Sequence, residues 1–158
     1  MAINTVTDLA WAAGFIDADG TITIRRQVRA TPRIGHPIVN IQHQALVQVG
    51  QRDYPEQRKS IEKLKNIFGG SISYGEPTLP GKNRMIVWRV ASQKASDCLK
   101  QLYSYLVTKK LNADIVLEFH NNKVLSAGPV RVPPEEMLRR EQLWTKVHEL
   151  NQKGVVKH

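Results

Sequence analysis

Residues 11–24, WAAGFIDADGTITI, decide how the rest of the chain is read. Small and apolar residues at helical spacing, among them Ala10, Ala13, Gly14 and Ile16, give way at Gly20 to strict alternation, Ile22 and Ile24 against Thr21 and Thr23. The pattern predicts a helix over 8–18, capped by Thr7 or Asp8, that turns straight into a strand. Gly20 is expected to end the helix through backbone angles that other residues resist. Asp17 and Asp19 then sit at the carboxyl end of an apolar helix, where the macrodipole opposes negative charge. A placement that costs stability asks for a compensating partner. A divalent cation, which takes carboxylate and carbonyl oxygens, is the first candidate. An EF-hand loop is not supported, because no Glu stands at its later ligand position.

Composition narrows the classes. With 158 residues and 41% hydrophobic content, the chain suits one domain with an ordinary core. No apolar run approaches the length of a membrane helix, and MAINTVTDLA lacks the basic and apolar regions of a signal peptide. A single cysteine, Cys98, excludes an internal disulfide framework and a cysteine-based zinc site; among Ala95, Leu99 and Leu102 it reads as a small core residue. Lys and Arg number 23 against 14 acids, a net charge of +9. Such a surface attracts polyanions, nucleic acid first among them.

The distribution of polar residues sharpens that expectation. In the strand 20–29, one face carries Thr21, Thr23, Arg25, Gln27 and Arg29, and the other Ile22, Ile24, Arg26 and Val28. In the strand 38–50, Asn40, Gln42, Gln44 and Gln48 share one parity, with Val39, Ile41, Ala45, Val47, Val49 and His43 on the other. Arg pairs with guanine, and amide side chains read adenine through N6 and N7. Two twisted strands of this kind make a ribbon that fits a major groove. The connecting loop ATPRIGHP offers Arg33 and His36 to phosphates, though His36 has no second ligand at metal spacing.

The remaining elements follow from their punctuation. A second helix is predicted over Pro55–Phe68, with Pro at its first position and Gly69-Gly70 at its end. A second hairpin, 71–76 and 84–91, surrounds GEPTLPGKN. There Lys82, Arg84 and Arg89 extend the basic surface, and sequence leaves open which parity, that of Trp88 or that of Arg89, meets a ligand. Helices are predicted over 93–107, 110–122 and 135–151, with a linker at 126–134 and a frayed tail. The order is α+β: one four-stranded antiparallel sheet backed by helices, in one domain over 1–158, with a core at 8–125 and a C-terminal helix at 133–152. There is no internal repeat.

Residues 12–20, AAGFIDADG, resemble the LAGLIDADG motif of homing endonucleases, with seven of nine letters in agreement and Ala12 and Phe15 standing where the motif has Leu. The resemblance implies an αββαββα core whose sheet forms a DNA-binding saddle. Because the motif occurs once, it also implies a homodimer that pairs its motif helices through Ala10, Ala13, Gly14 and Asp17. It implies that Asp19 and the Ala18 carbonyl hold Mg²⁺ or another divalent cation, that Gln51 positions water, and that a basic residue follows. Arg58 is the match for that residue, with Arg52 open because of an apparent insertion at 53–55. Lys109 matches the basic element near the scissile phosphate, with Lys110 as the alternative. The implied activity is a double-strand break in a long, partly palindromic duplex. Thr23, Arg25, Gln27, Arg29, Arg33, Asn40, Gln42, Gln44, Gln48, Lys82, Arg84 and Arg89 are its expected DNA contacts. Two rival functions on the same fold are an intron-RNA splicing maturase and a DNA-binding regulator that does not cut. The resemblance implies an intron-encoded protein of an organelle or microbe, and the composition and N-terminal sequence lead us to expect one that is not secreted and has no membrane partner.

Overall fold

The computed structural model describes residues 4–31, 35, 38–77, 79–124 and 132–152. Arg33, His36, the tail 153–158 and most of the linker lie outside the described residues. The chain runs α1 (Val6–Asp19), β1 (Gly20–Thr31), β2 (Ile38–Arg52), α2 (Pro55–Phe68), β3 (Ser71–Gly75), β4 (Met85–Ala91), α3 (Ser92–Leu102), α4 (Lys110–Asn121) and α5 (Pro134–Gln152). The four strands form one antiparallel sheet in the order β1-β2-β4-β3. The two hairpins therefore join through β2 and β4, and β1 and β3 lie at the edges.

Several element boundaries differ from the sequence expectation by one or more residues, and the ends of α1 and α3 show why. The first helix begins at Val6 because Thr5, rather than Thr7 or Asp8, is its cap; the Thr5 hydroxyl accepts the Asp8 N–H at 3.1 Å. Gly20 is needed for room rather than for an unusual backbone angle. Its φ of -92° and ψ of 173° are ordinary extended values. A Cβ there would stand 2.9 Å from both the Ile16 Cα and the Ile16 carbonyl oxygen. Strand β1 can leave the helix this abruptly only from a residue without a side chain. Helix α3 stops at Leu102 and tightens into a 3-10 turn at Tyr103–Tyr105, where Tyr-Ser-Tyr favours the helix poorly.

One face of the sheet carries the core. Ile22 and Ile24 of β1, Val47 and Val49 of β2, and Ile86, Trp88 and Val90 of β4 are buried there. They pack with Ala12, Ala13 and Ile16 of α1, Ile61 and Leu64 of α2, Leu99 and Leu102 of α3, and Val116 and Phe119 of α4. Full burial of a side chain of this size contributes about 1.5–3 kcal/mol. Trp88 is inside, and its indole N–H donates to the Gly69 carbonyl at 2.8 Å. The open parity of the second hairpin is therefore that of Met85, Val87 and Arg89. Gly70, at φ +89°, lets the chain enter β3; a Cβ there would meet the Arg89 carbonyl oxygen at 2.4 Å.

Helix α5 closes the same side of the sheet. Leu143 and Val147 are buried in the core, and Arg26 of β1 pairs with Glu141 at 2.8 Å while lying over the Trp144 ring. His43, on the core parity of β2, meets the same carboxylate at 3.0 Å. A carboxylate accepts, so the His43 Nε2 carries the proton that it shares with Glu141.

Candidate functional site

The foot of α1 gathers polar atoms from three parts of the chain. Asp19 is exposed, and the Gln51 amide donates to its Oδ2 at 3.1 Å. Because β2 runs on to Arg52, Gln51 lies inside the strand, opposite Ile86 of β4. Asp17 turns the other way. Its two oxygens accept the backbone N–H groups of Val107 at 2.8 Å and Lys109 at 2.9 Å. The Lys109 ammonium returns to donate to the Asp17 carbonyl at 2.5 Å. Thus Asp17 fastens the 107–109 turn to the helix end and brings Lys109 to the foot where Asp19 lies. The Ala18 carbonyl belongs to the last turn, and with β1 starting at Gly20 no helical N–H follows to take it.

This set suits a hard cation. Gln51 occupies one carboxylate oxygen of Asp19 and leaves the other open, and the Ala18 carbonyl offers a further oxygen. Among the described residues no group of three or more His, Cys, Asp or Glu side chains is placed to hold a metal. One chain offers a single carboxylate at this point. Mg²⁺ is bound in that manner, through one or two carboxylates with phosphate oxygens and water making up the rest.

Beyond Gln51 the chain forms a second polar knot. Asp53 is 8% exposed, and its two oxygens receive Arg58 Nε at 2.8 Å and Arg84 Nε at 2.9 Å. These two hydrogen bonds hold the Asp53 carboxyl below the usual carboxylate range, and Asp53 raises Arg58 in turn. Arg58 is thus held by Asp53 rather than by Asp19 or Gln51. Arg52, the alternative, donates to the Asn83 carbonyl at 3.0 Å.

The open face of the sheet bears most of the expected nucleic-acid contacts. Register places Thr21 opposite Gln48, Arg25 opposite Gln44, Gln27 opposite Gln42 and Arg29 opposite Asn40. Arg89 continues the row beside Gln48. Thr23 lies opposite Leu46, a buried apolar residue on this otherwise polar parity. With its amide oxygen turned to Arg25, Gln27 accepts from Arg25 Nη2 at 2.7 Å and Nε at 3.1 Å. The Gln44 amide donates to the Ser92 hydroxyl at 2.8 Å. Ser92 holds a φ of 55°, a left-handed conformation that sets this hydroxyl at the junction of β4 and α3. A depression of about 570 Å³ opens along Arg25, Gln27, Arg29, Asn40, Gln42 and Gln44. Lys82 is exposed on the 79–84 turn.

Helix α1 keeps one face uncovered. Thr7, Ala10, Gly14 and Ala18 are exposed, and a Cβ built on Gly14 meets nothing within 4 Å. Ala13, expected on that face, is 0% exposed. The helical period places it with Ala12 and Ile16 against the chain's own core, and Ala18 takes its place outside. Asp17, also expected there, directs its carboxylate into its own chain.

Sequence reasoning missed Asp53 and Ser92, and it did not see that Asp17 anchors the Lys109 turn. Asp53 lay in what read as an insertion, without period or motif. The one available signal was an acid just before a Pro-initiated helix.

Comparison with known proteins now places the chain. The sequence profile described as LAGLIDADG endonuclease matches residues 12–125. No curated protein sequence matches. Among solved structures, the homing endonuclease I-CvuI in complex with its target has 24% identity and a TM-score of 0.64, over 92% of this chain and 85% of that one. I-SmaMI bound to cleaved DNA has 19% identity and a TM-score of 0.58, over 91% of this chain and 45% of that one. The group I intron-encoded I-CeuI complexed with DNA has 14% identity and a TM-score of 0.56, over 93% and 69%. These likenesses share the fold described above, and the profile covers most of the chain, including the Asp19 motif and the Lys109 turn. The chain belongs to the LAGLIDADG family of homing endonucleases, and is by that membership a phosphodiester hydrolase.

Proposed function

We propose that two copies of this chain pair through the uncovered face of α1 and make a divalent-metal-dependent double-strand break in a long, partly palindromic DNA target. The observation that carries this reading is the foot of α1, where an exposed Asp19 meets the Gln51 amide at 3.1 Å beside the Lys109 turn. A two-fold axis along α1 brings two such feet together, and protein symmetry is mirrored in the half-sites of the target. The solved relatives are described as complexes with DNA, one of them in the presence of Mg and another of Ca.

Each residue then has a role in phosphodiester hydrolysis. Asp19 and the Ala18 carbonyl would hold a divalent cation such as Mg²⁺, which would supply Lewis-acid stabilisation of charge on the phosphate. Gln51, fixed on Asp19, orients water with its free amide oxygen. Lys109 offers its ammonium to the negative charge that grows on the phosphate. Arg25, Gln27, Arg29, Asn40, Gln42, Gln44, Gln48 and Arg89 read base edges or phosphates from the sheet. Lys82 and Arg84 add phosphate contacts, so affinity falls with salt.

Incubation with a randomised duplex library and Mg²⁺ tests the reading. Discrete double-strand cuts are expected, and Asp19→Asn removes them while sparing binding. Intron-RNA binding without DNA cuts would replace this reading with a maturase. Cutting that survives Asp19→Asn would remove Asp19 from the site.

A further inference from the structure

At the end of the sheet that carries Asp19, two arginines are held as a pair. The Asp53 carboxylate accepts Nε from both Arg58 and Arg84. Among the described residues neither arginine makes a hydrogen bond through its Nη atoms, and their side chains are 43% and 50% exposed. Each guanidinium is therefore gripped from behind and presents its forward nitrogens to solvent. The backbone reinforces the grip. The Asp53 N–H donates to the Arg84 carbonyl at 2.9 Å, and the Asn83 amide donates to the Asp53 carbonyl at 3.1 Å. The Tyr74 ring lies 4.0 Å from the Arg84 guanidinium carbon, which fixes the plane of that fork.

We infer that Asp53 is a positioning residue that sets Arg58 and Arg84 as one phosphate-binding pair for the backbone of bound DNA. The inference rests on the DNA-cleaving reading above. Two arginines and one carboxylate leave a net positive site, and a planar fork suits phosphate oxygens. Asp53, which holds both arginines, lies four residues beyond Val49, the partner of Gly20, roughly 13 Å along the strand, which is about four nucleotides of rise. The pair therefore serves a phosphate close to, but distinct from, the one at Asp19. Ordering two long side chains before DNA arrives removes an entropic cost that binding would otherwise meet. Arg58 then grips the backbone rather than the reacting group.

The test turns on sign. Asp53→Asn adds one positive charge to an already basic chain, and charge alone predicts tighter DNA binding. Loss of positioning predicts the opposite. Binding of the preferred duplex is measured in an Asp19→Asn background, with folding checked by circular dichroism at the same temperature. Adding Asp53→Asn is expected to weaken binding about tenfold and to make the plot of log K against log salt shallower by one to two units, at about 0.9 per phosphate. In a chain that also carries Arg58→Ala and Arg84→Ala, Asp53→Asn is expected to change neither quantity; a purely structural role would persist there. If Asp53→Asn does not fold, Arg58→Lys with Arg84→Lys keeps the charge but lacks Nε, and the same loss is expected. Equal or tighter binding by the folded variant overturns the inference. Absence of duplex binding by the Asp19→Asn parent itself overturns the DNA reading, and the inference with it.

Discussion

Asp17 and Asp19 stand two residues apart at one helix end and face opposite ways. Asp19 reaches solvent and Gln51, whereas Asp17 takes two N–H groups of the 107–109 turn. A carboxylate that accepts backbone N–H groups contributes about 1.5–3 kcal/mol for each hydrogen bond to the charged group. Asp17→Ala is therefore expected to lower stability by about 2–4 kcal/mol, since the freed N–H groups regain water. It is also expected to slow single-turnover cleavage, because Lys109 loses its anchor. Denaturant unfolding and cleavage kinetics measured on the same variant check both effects. Asp19→Asn, by contrast, is expected to leave stability near wild type. Sequence told these two acids apart only through the family motif. The spacing put both at the helix end, but the direction of Asp17 depends on a turn 90 residues away in sequence, which no local pattern reports.

Among the elements, α2 was legible to the residue, Pro55–Phe68, because Pro and a Gly pair mark its ends. The polar parity of β1 and β2 was equally clear, since alternation over a dozen residues leaves one register that buries Ile22, Ile24, Val47 and Val49. The second hairpin was not, because β4 carries large apolar residues on both faces and only its pairing with β2 shows that Trp88 goes inside. Helix α5 was visible as an amphipathic stretch, but its docking through Glu141 to Arg26 and His43 was not. That contact has a consequence for acid stability. Burial lowers the His43 pKa, with Arg140 and Arg26 acting in the same direction and Glu141 opposing them. Unfolded, the imidazole binds its proton near pH 6.5. Folded, it does so only at lower pH. The stabilisation is therefore complete above about pH 6.5 and is lost as pH falls through the depressed folded value, by no more than about 1.4 kcal/mol per pH unit. Unfolding free energies between pH 7 and pH 5 should decline accordingly, and His43→Gln should flatten that part of the profile.

At the scale of the molecule, the protein is an open polar sheet with one helix left uncovered along its small residues. The core is satisfied within one chain, yet Thr7, Ala10, Gly14 and Ala18 are exposed among the described residues, and one Asp19 lies at the end of that row. In the proposed dimer, two chains related by a two-fold axis would cover this face and double the carboxylates in one arrangement. The most direct test mixes wild-type and Asp19→Asn chains in equal amounts, allows them to exchange, and measures double-strand cleavage against the same total of wild type. Random pairing leaves about a quarter of the dimers with two intact sites, so cleavage is predicted to fall to about a quarter. A fall to only about a half, the value for chains that act alone, would contradict the account.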